Sequence, residues 1–236
     1  MAPAPRRFAL IAAAGRGSRF GADEPKQYAL LAGVPVIARS IAALAGALTL
    51  DGVFVVLAPD DARFKPAVTT TVDTVALRCG GATRADSVAN ALAAVADRVA
   101  ADDWMLVHDA ARPCVDAAAL ARLVSEVGDD PVGGLLALPI ADTLKRAESG
   151  AQTRVARTEE RDGLWYAQTP QMFRYALLRR AMENARGSAI TDDAQAVEAL
   201  GLRPKLVKGS VANIKITYAE DLALAEAVLA QREEKR

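Results

Sequence analysis

The stretch Leu10 to Tyr28, LIAAAGRGSRFGADEPKQY, constrains this chain more than any other. A short apolar run from Phe8 to Ala13 has the composition of a buried parallel strand, and it breaks into small residues and glycines. Gly15 and Gly17 allow a sharp turn and a close backbone approach to a ligand. Arg16, Arg19 and Lys26 load the same loop with positive charge, opposed locally by Asp23 and Glu24. A glycine-rich cationic loop leaving a strand suits phosphate, because backbone N–H groups and fixed charges converge on one point.

Strands then alternate with helical stripes. Gly33-Val34-Pro35 leads into a helix from Val36 to about Leu48, with proline at a first-turn position. Val53 to Leu57 is a continuous apolar run and reads as a buried strand; a short helix is expected after Asp60-Asp61. Val75 to Leu77 is a weaker strand ended by Gly80-Gly81. From Thr83 or Arg84 a helix carries Val88, Leu92, Val95 and Val99 on one stripe. Trp104 to Val107 is a strand, Asp116 can cap a helix lined by Leu120, Leu123, Val124 and Val127, and Gly134 to Leu138 is another strand. This spacing predicts an α/β fold with a mostly parallel twisted sheet flanked by helices.

Residues 142–163 break the rhythm. They are polar, carry both signs of charge, and alternate from Thr153 to Thr158 as hairpin strands do. Such an insertion is a functional or interaction arm, or a surface loop. Beyond it, Gln168-Thr169-Pro170-Gln171 reads as a turn, Tyr175 to Ala185 as a helix, and Thr191-Asp192-Asp193 as the cap of a helix reaching Leu200. Pro204 to Val207 and Asn213 to Ile216 read as strands, and Tyr218 to about Gln231 as an amphipathic helix with Leu222, Ala225, Val228 and Leu229 inward. With no repeat and no low-complexity linker, the expectation is one domain over residues 1–236, with no second domain fused to it.

Composition excludes several classes. Lys and Arg total 29 and so do Asp and Glu, so general affinity for nucleic acid or an anionic membrane is not expected. No apolar run reaches the ~18 residues that span a bilayer. Cys79 and Cys114 form no Cys-x-x-Cys pair, which fits reduced thiols in a cytoplasm. Arg6-Arg7, an apolar run and Ala12-x-Ala14 imitate a secretory leader, but cleavage there would remove the strand that feeds the glycine loop. A single histidine and two separated cysteines cannot build a zinc site, and no Gly-x-Ser-x-Gly elbow is present. His108 and Asp109 are neighbours on a strand end and so face opposite ways, which puts His108 packed against a helix rather than facing substrate.

Ligands on open α/β sheets sit beyond the carboxyl ends of strands. Three such ends carry reactive or binding residues: Ala14 to Arg19, Gly80 to Ser87, and Asp109 to Arg112. The dinucleotide fingerprint and the P-loop both fail at Phe20. What fits is a nucleotidyltransferase pattern, a strand with Ala-Ala-Gly-x-Gly-x-Arg and then Pro-Lys-Gln. When a phosphate attacks the α-phosphorus of a nucleoside triphosphate, charges of roughly −2 and −4 must meet. Catalysis is then positioning and charge neutralisation, with several cations and a carboxylate near Mg²⁺ but no general base.

LIAAAGRGSRF with PKQY, GGATRADSV, VHDAARP, ADTLKR, RDGLW, TPQ, ITDD and NIKIT, in this order over about residues 8–229, resemble the 2-C-methyl-D-erythritol 4-phosphate cytidylyltransferase family. The resemblance implies a Rossmann-like nucleotidyltransferase fold with a protruding β-hairpin arm, and CMP transfer from CTP to 2-C-methyl-D-erythritol 4-phosphate with Mg²⁺ or another divalent cation. It implies Arg19, Lys26 and Lys215 as catalytic residues. Ala13, Ala14, Gly15, Gly17, Gly81, Arg84, Ser87 and Ala110 would bind the nucleotide. Asp109, Arg112, Thr143, Arg161, Thr169 and Lys215 would bind substrate, with Asp109 also beside the metal. Thr143 and Arg161 would reach a partner subunit's site, giving a cytoplasmic homodimer through the arm at about 142–163. Rival readings are a cytidylyltransferase for another polyol phosphate, such as ribitol 5-phosphate, and a nucleotide-binding protein without catalysis. The chain departs from the family pattern at Ala12, Ala82 and Asp193, none of which removes a cation needed for the chemistry.

Overall fold

The computed structural model of the protein describes residues 4–15, 17, 20–21, 25–65, 72–150 and 153–234. In chain order they form β1 (Arg7–Ala12), the short pair β2 (Leu30–Leu31) and β3 (Val34–Pro35), α1 (Val36–Ala45), β4 (Gly52–Val56), β5 (Thr74–Leu77) and α2 (Arg84–Ala94). There follow β6 (Trp104–Asp109), α3 (Ala117–Val127), β7 (Gly134–Pro139), the hairpin β8 (Leu144–Ala147) and β9 (Val155–Glu159), and β10 (Trp165–Arg174). The chain continues through α4 (Tyr175–Asn184), α5 (Asp193–Glu198), β11 (Lys205–Lys208) and α6 (Asp221–Glu233).

Seven strands make one sheet in the order β11-β7-β10-β6-β1-β4-β5. Every neighbouring pair is parallel except those of β10, which runs antiparallel to both β6 and β7. The mostly parallel sheet expected from the alternation is therefore present. Successive side chains on a strand face opposite ways, and both faces are covered. On one face Phe8, Leu10, Met105 and Val107 pack with α2, α4 and α5 through Val88, Leu178 and Val197. On the other, Ala9, Ile11, Trp104 and Leu106 pack with α1 and α3 through Ile41, Leu120 and Leu123. This is why β4, GVFVV, is buried at every position.

The chain lays β1, β4 and β5 in one direction and then returns to place β6 on the other side of β1. The crevice between the carboxyl ends of β1 and β6 is thus a switch point of the topology, the place where open α/β sheets bind ligands. Helix starts near it are capped as expected. Thr83 and Asp86 form a reciprocal capping box on α2, Asp116 accepts from Ala119 N on α3, and Asp192 accepts from Gln195 N on α5.

Three readings of the sequence are corrected. Gln168 to Gln171 is not a turn between elements: it lies inside β10, at an irregularity between Ala167 and Gln171 that includes a cis Thr169–Pro170 peptide. Asn213 to Ile216 forms no strand and runs as a loop, although Asn213 and Ile216 are fully buried. Residues 61–65, where a short helix was expected, have no regular structure, and the rest of that segment, 66–71, lies outside the described residues. The polar insertion does hold a hairpin, with β8 and β9 paired in a small sheet of their own between β7 and β10.

At the edge of the sheet opposite the switch point, Asp103 ties the starts of β1 and β6 together. Its carboxylate accepts from Arg6 N at 2.9 Å, from the Arg6 guanidinium at 2.7 and 3.1 Å, and from Ala100 N at 2.8 Å. Burial alone would raise this carboxyl, but the hydrogen bonds from Arg6 and Ala100 outweigh it and hold the pKa below its ordinary value. We expect Asp103→Ala to cost about 1–3 kcal/mol in urea unfolding, because one buried carboxylate is the shared acceptor for Arg6 N–H, the Arg6 guanidinium and Ala100 N–H. A depressed folded pKa gives stability that is complete above the unfolded value near ~3.9 and is lost as pH falls through the folded value. Wild-type stability should therefore fall more steeply than that of Asp103→Asn on acidification below about pH 4, as read from unfolding midpoints at each pH.

Candidate active site

A cleft of about 610 Å³ opens at the switch point. Its floor is backbone from Ala13, Ala14, Gly15 and Gly17 after β1 and from Gly80 and Gly81 after β5. Small residues are required here by space: a Cβ on Gly81 would collide with the Asp86 side chain, and one on Gly80 with Ala14. Gly17 has φ +67°, a left-handed conformation that glycine adopts without strain. The loop is pinned from within, since Gln27 Nε2 donates to Ala13 O at 2.9 Å. Lys26 reaches across the cleft and donates from Nζ to Ile216 O at 2.8 Å. Ser87, at the first turn of α2, accepts from Gly81 N–H at 3.0 Å and donates to Thr83 O at 2.8 Å, so it sets the shape of the glycine turn. Ala110, directly after β6, completes this wall.

Asp109, the last residue of β6, draws three cations to one carboxylate. Lys215 Nζ stands 2.7 Å from Oδ2, Arg84 Nε 3.3 Å from Oδ1, and Arg112 Nε 3.8 Å from Oδ2. Burial alone would raise the Asp109 carboxyl; Arg84, then Lys215 and Arg112, outweigh it and hold it well below the usual carboxylate range. Arg84 is fixed by a second carboxylate, donating to both oxygens of the fully buried Asp193 at 2.9 and 2.8 Å. Burial opposes the Arg84 charge, and Asp193 and Asp109 together more than restore it.

A smaller cleft of about 190 Å³ adjoins the first and shares Arg84, Asp109 and Lys215 with it. Arg112 and Thr169 line its far side. Arg112 Nη1 donates to Asn213 O at 2.7 Å, while its buried Nε has no hydrogen-bond acceptor. Thr169 Oγ1 accepts from Asp109 N–H at 3.0 Å and meets His108 Nδ1 at 2.9 Å. His108 lines neither cleft, and burial pushes its pKa down to about 4, so the imidazole is neutral. It faces away from the clefts as expected, though what meets its two nitrogens is polar, Thr169 and the Arg112 carbonyl, rather than a helix.

Thr143 and Arg161 line neither cleft; both are exposed on the arm, where Arg161 donates to Ala141 O. Arg19 lies outside the described residues. The other candidate residues gather around the two clefts. Sequence reasoning missed Asp193 as the partner of Arg84. It also missed Asn213, whose Nδ2 donates to Thr169 O at 2.9 Å and whose carbonyl receives Arg112, and Gln168, whose Nε2 ties the same loop by donating to Ser210 O at 2.9 Å. A strongly polar residue inside a strand-like apolar stretch, as at Asn213, was the available signal, because it must be hydrogen-bonded to stay buried.

Among the described residues, no cluster of three or more His, Cys, Asp or Glu is placed to hold a metal by itself. The donor set, one carboxylate at the junction of two clefts lined by cations, fits Mg²⁺ arriving on a triphosphate, since Mg²⁺ takes one or two carboxylates with substrate phosphates and water.

Backbone shaped for a close approach, next to cations that converge before any anion is bound, is what a reaction between two phosphates requires. The fold and the paired clefts are those of a nucleotidyltransferase. The family model for IspD, 2-C-methyl-D-erythritol 4-phosphate cytidylyltransferase, matches residues 8–231. The 2-C-methyl-D-erythritol 4-phosphate cytidylyltransferase of Dechloromonas aromatica is 55% identical over 232 residues, covering 97% of this chain and 99% of that one. That of Nitrosospira multiformis is 53% identical over 226 residues, 94% of this chain and 97% of that one. Among solved structures, a 4-diphosphocytidyl-2C-methyl-D-erythritol synthase superposes with a TM-score of 0.82 at 37% identity, covering 95% of this chain and 99% of the other. The Francisella tularensis enzyme gives 0.80 at 33% identity, covering 94% and 99%. The chain belongs to the 2-C-methyl-D-erythritol 4-phosphate cytidylyltransferase family.

The Arg84–Asp193 pair sets an expectation for stability. Arg84→Ala leaves the Asp193 carboxylate buried without its partner and should cost about 3–5 kcal/mol. Arg84→Ala with Asp193→Ala should cost less than the two singles summed, with a coupling of about 1–3 kcal/mol in a denaturant double-mutant cycle.

Proposed function

We propose that this protein transfers CMP from CTP to 2-C-methyl-D-erythritol 4-phosphate, giving 4-diphosphocytidyl-2-C-methyl-D-erythritol and pyrophosphate in isoprenoid precursor synthesis. The observation that carries the reading is the pair of clefts with a common wall of Arg84, Asp109 and Lys215. CTP occupies the larger, with cytosine on the backbone of Ala13, Ala14 and Gly81 beside Arg84 and Ser87, ribose by Ala110, and the triphosphate along Gly15 and Gly17. The acceptor phosphate occupies the smaller, against Arg112 and Thr169. The shared wall is then where an acceptor oxygen meets the α-phosphorus.

A phosphate monoester is largely a dianion at neutral pH, so its oxygen attacks without a general base. A bond forms from that oxygen to the α-phosphorus as the bond to the bridging oxygen of the β-phosphate breaks, and the electron pair leaves with pyrophosphate. Lys26, Lys215 and Arg19 neutralise the charge that builds on the equatorial and leaving oxygens. Before substrate arrives, Asp109 holds Lys215 in place, and the incoming phosphates take over its neutralisation. Asp109 would hold the divalent cation, which supplies further charge neutralisation on the triphosphate when bound.

The arm extends the proposal. Val155, Leu164, Trp165 and Tyr166 are large apolar side chains left exposed on or beside it. A homodimer through the arm, 142–163, of an otherwise single domain would cover them and bring Thr143 and Arg161 to the partner's smaller cleft. A cytoplasmic setting agrees with the free thiols of Cys79 and Cys114, and no described helix is long and apolar enough to cross a membrane.

Pyrophosphate release with CTP, assayed against methylerythritol phosphate and ribitol 5-phosphate in parallel, should favour the former; the reverse preference would assign the protein to the polyol rival, and CTP binding without release to a non-catalytic role. Lys26→Ala should lower kcat/KM by about 10²–10³, some 3–4 kcal/mol of transition-state stabilisation, with a nearly unchanged unfolding midpoint. Wild-type turnover in that variant would remove Lys26 from the mechanism. Light scattering should give twice the mass of one chain, and deletion of 142–163 should halve it; a monomeric intact protein would defeat the dimer.

A further inference from the structure

We propose that His108 is a positioning residue for the transfer, tying Asp109, Thr169 and Arg112 into one register behind the wall that the two clefts share. It is the single histidine of the chain and is fully buried. Its Nε2 lies 3.1 Å from Arg112 O. A carbonyl oxygen only accepts, so Nε2 carries the proton, and in the neutral ring that full burial favours Nδ1 then offers a lone pair. The Thr169 hydroxyl, 2.9 Å away, must then donate to Nδ1. That turns the remaining lone pairs of Thr169 Oγ1 toward the Asp109 N–H, 3.0 Å away.

Each donor therefore points one way, from Asp109 N–H to Thr169, from Thr169 to His108, and from His108 to Arg112. The last link sets the direction of the rest. The same imidazole closes the turn after β6 from the inside, where Arg112 N donates to Asp109 O at 3.0 Å. It also holds the irregular part of β10 against the end of β6. Asp109 faces the wall common to both clefts and Arg112 faces the smaller one, so one rigid ring sets the spacing between the two proposed binding groups. No flexible side chain replaces both ends at once. Asparagine reaches the position of Nδ1 and can keep the Thr169 link, whereas glutamine reaches that of Nε2 and can keep the Arg112 link.

The inference rests on the proposed cytidylyl transfer, and the test separates the two. Full-length wild type, His108→Leu, His108→Gln and His108→Asn are compared for pyrophosphate release, with CTP and methylerythritol phosphate varied separately. His108→Leu, losing both links, should lower kcat by about 10–100-fold and raise the KM for methylerythritol phosphate by about 10-fold, leaving the KM for CTP within about twofold. His108→Gln should recover the methylerythritol phosphate KM, and His108→Asn the larger share of kcat. Wild-type constants in His108→Leu, or losses in all three that follow their melting temperatures without that crossing-over, would overturn the inference. Should the variants not fold, the imidazole nitrogen NMR spectrum of the wild type decides it. A proton on Nε2 with Nδ1 bare supports the chain of donors, and a proton on Nδ1 or on both refutes it. A wild type that forms no product from these substrates refutes the transfer itself and leaves the spectrum to judge the role of His108.

Discussion

A single buried carboxylate, Asp109, makes the rest of the site possible. Lys215, Arg84 and Arg112 repel one another, and without a counterion between them their convergence would spread the loops that carry them. With Asp109 between them, the cations wait in place at low cost, and the carboxylate is ionised because they are there. Asp193 does for the outer side of Arg84 what Asp109 does for the inner side. The arrangement is preorganised, so little reorganisation is left for the moment when phosphates enter.

The sheet is built to deliver that carboxylate. β6 lies beside β1, so Asp109 ends next to Ala12 and the glycine loop that follows it. Among the described strands of the seven-stranded sheet, β10 alone runs antiparallel to its neighbours; it enters from the edge where they end, and this carries Thr169 to the Asp109 amide. The loop 213–216 closes the site from the far end of the chain. Ile216 N donates to Ala111 O while Ile216 O receives Lys26 and Asn213 O receives Arg112. Had those residues formed a strand, their carbonyls would have gone to a neighbouring strand rather than to two cationic side chains.

Much of this was legible in the order of residues. Apolar runs bounded by glycine or proline marked β1, β4 and β7, a run between aspartates marked β6, and Asp116 and Asp192 stood where helix caps form. Cations and an aspartate beyond strand ends pointed to the rim where Lys26, Arg84, Arg112 and Lys215 are found. What was misread has a common cause. Pro170 announces a turn by its local chemistry, yet the tertiary environment accommodates it as an irregularity within β10. Asn213 to Ile216 alternates as a strand does, but its burial comes from a loop wedged between α6 and the turn after β6. The partners of Arg84 lie 25 and 109 positions away, and nothing local in the chain announces them.

By itself the sequence determined the layering of strands and helices, because burial on both faces demands continuous apolar strands, and it determined the kind of chemistry, because phosphate transfer demands cations with a carboxylate. It also carried the family resemblance in its ordered motifs. Only the tertiary structure decided which cation meets which carboxylate, in which direction the hydrogen bonds through His108 run, and that two clefts share one wall. Those are matters of distance and donor geometry between residues remote along the chain, and a few ångströms separate a hydrogen bond from none.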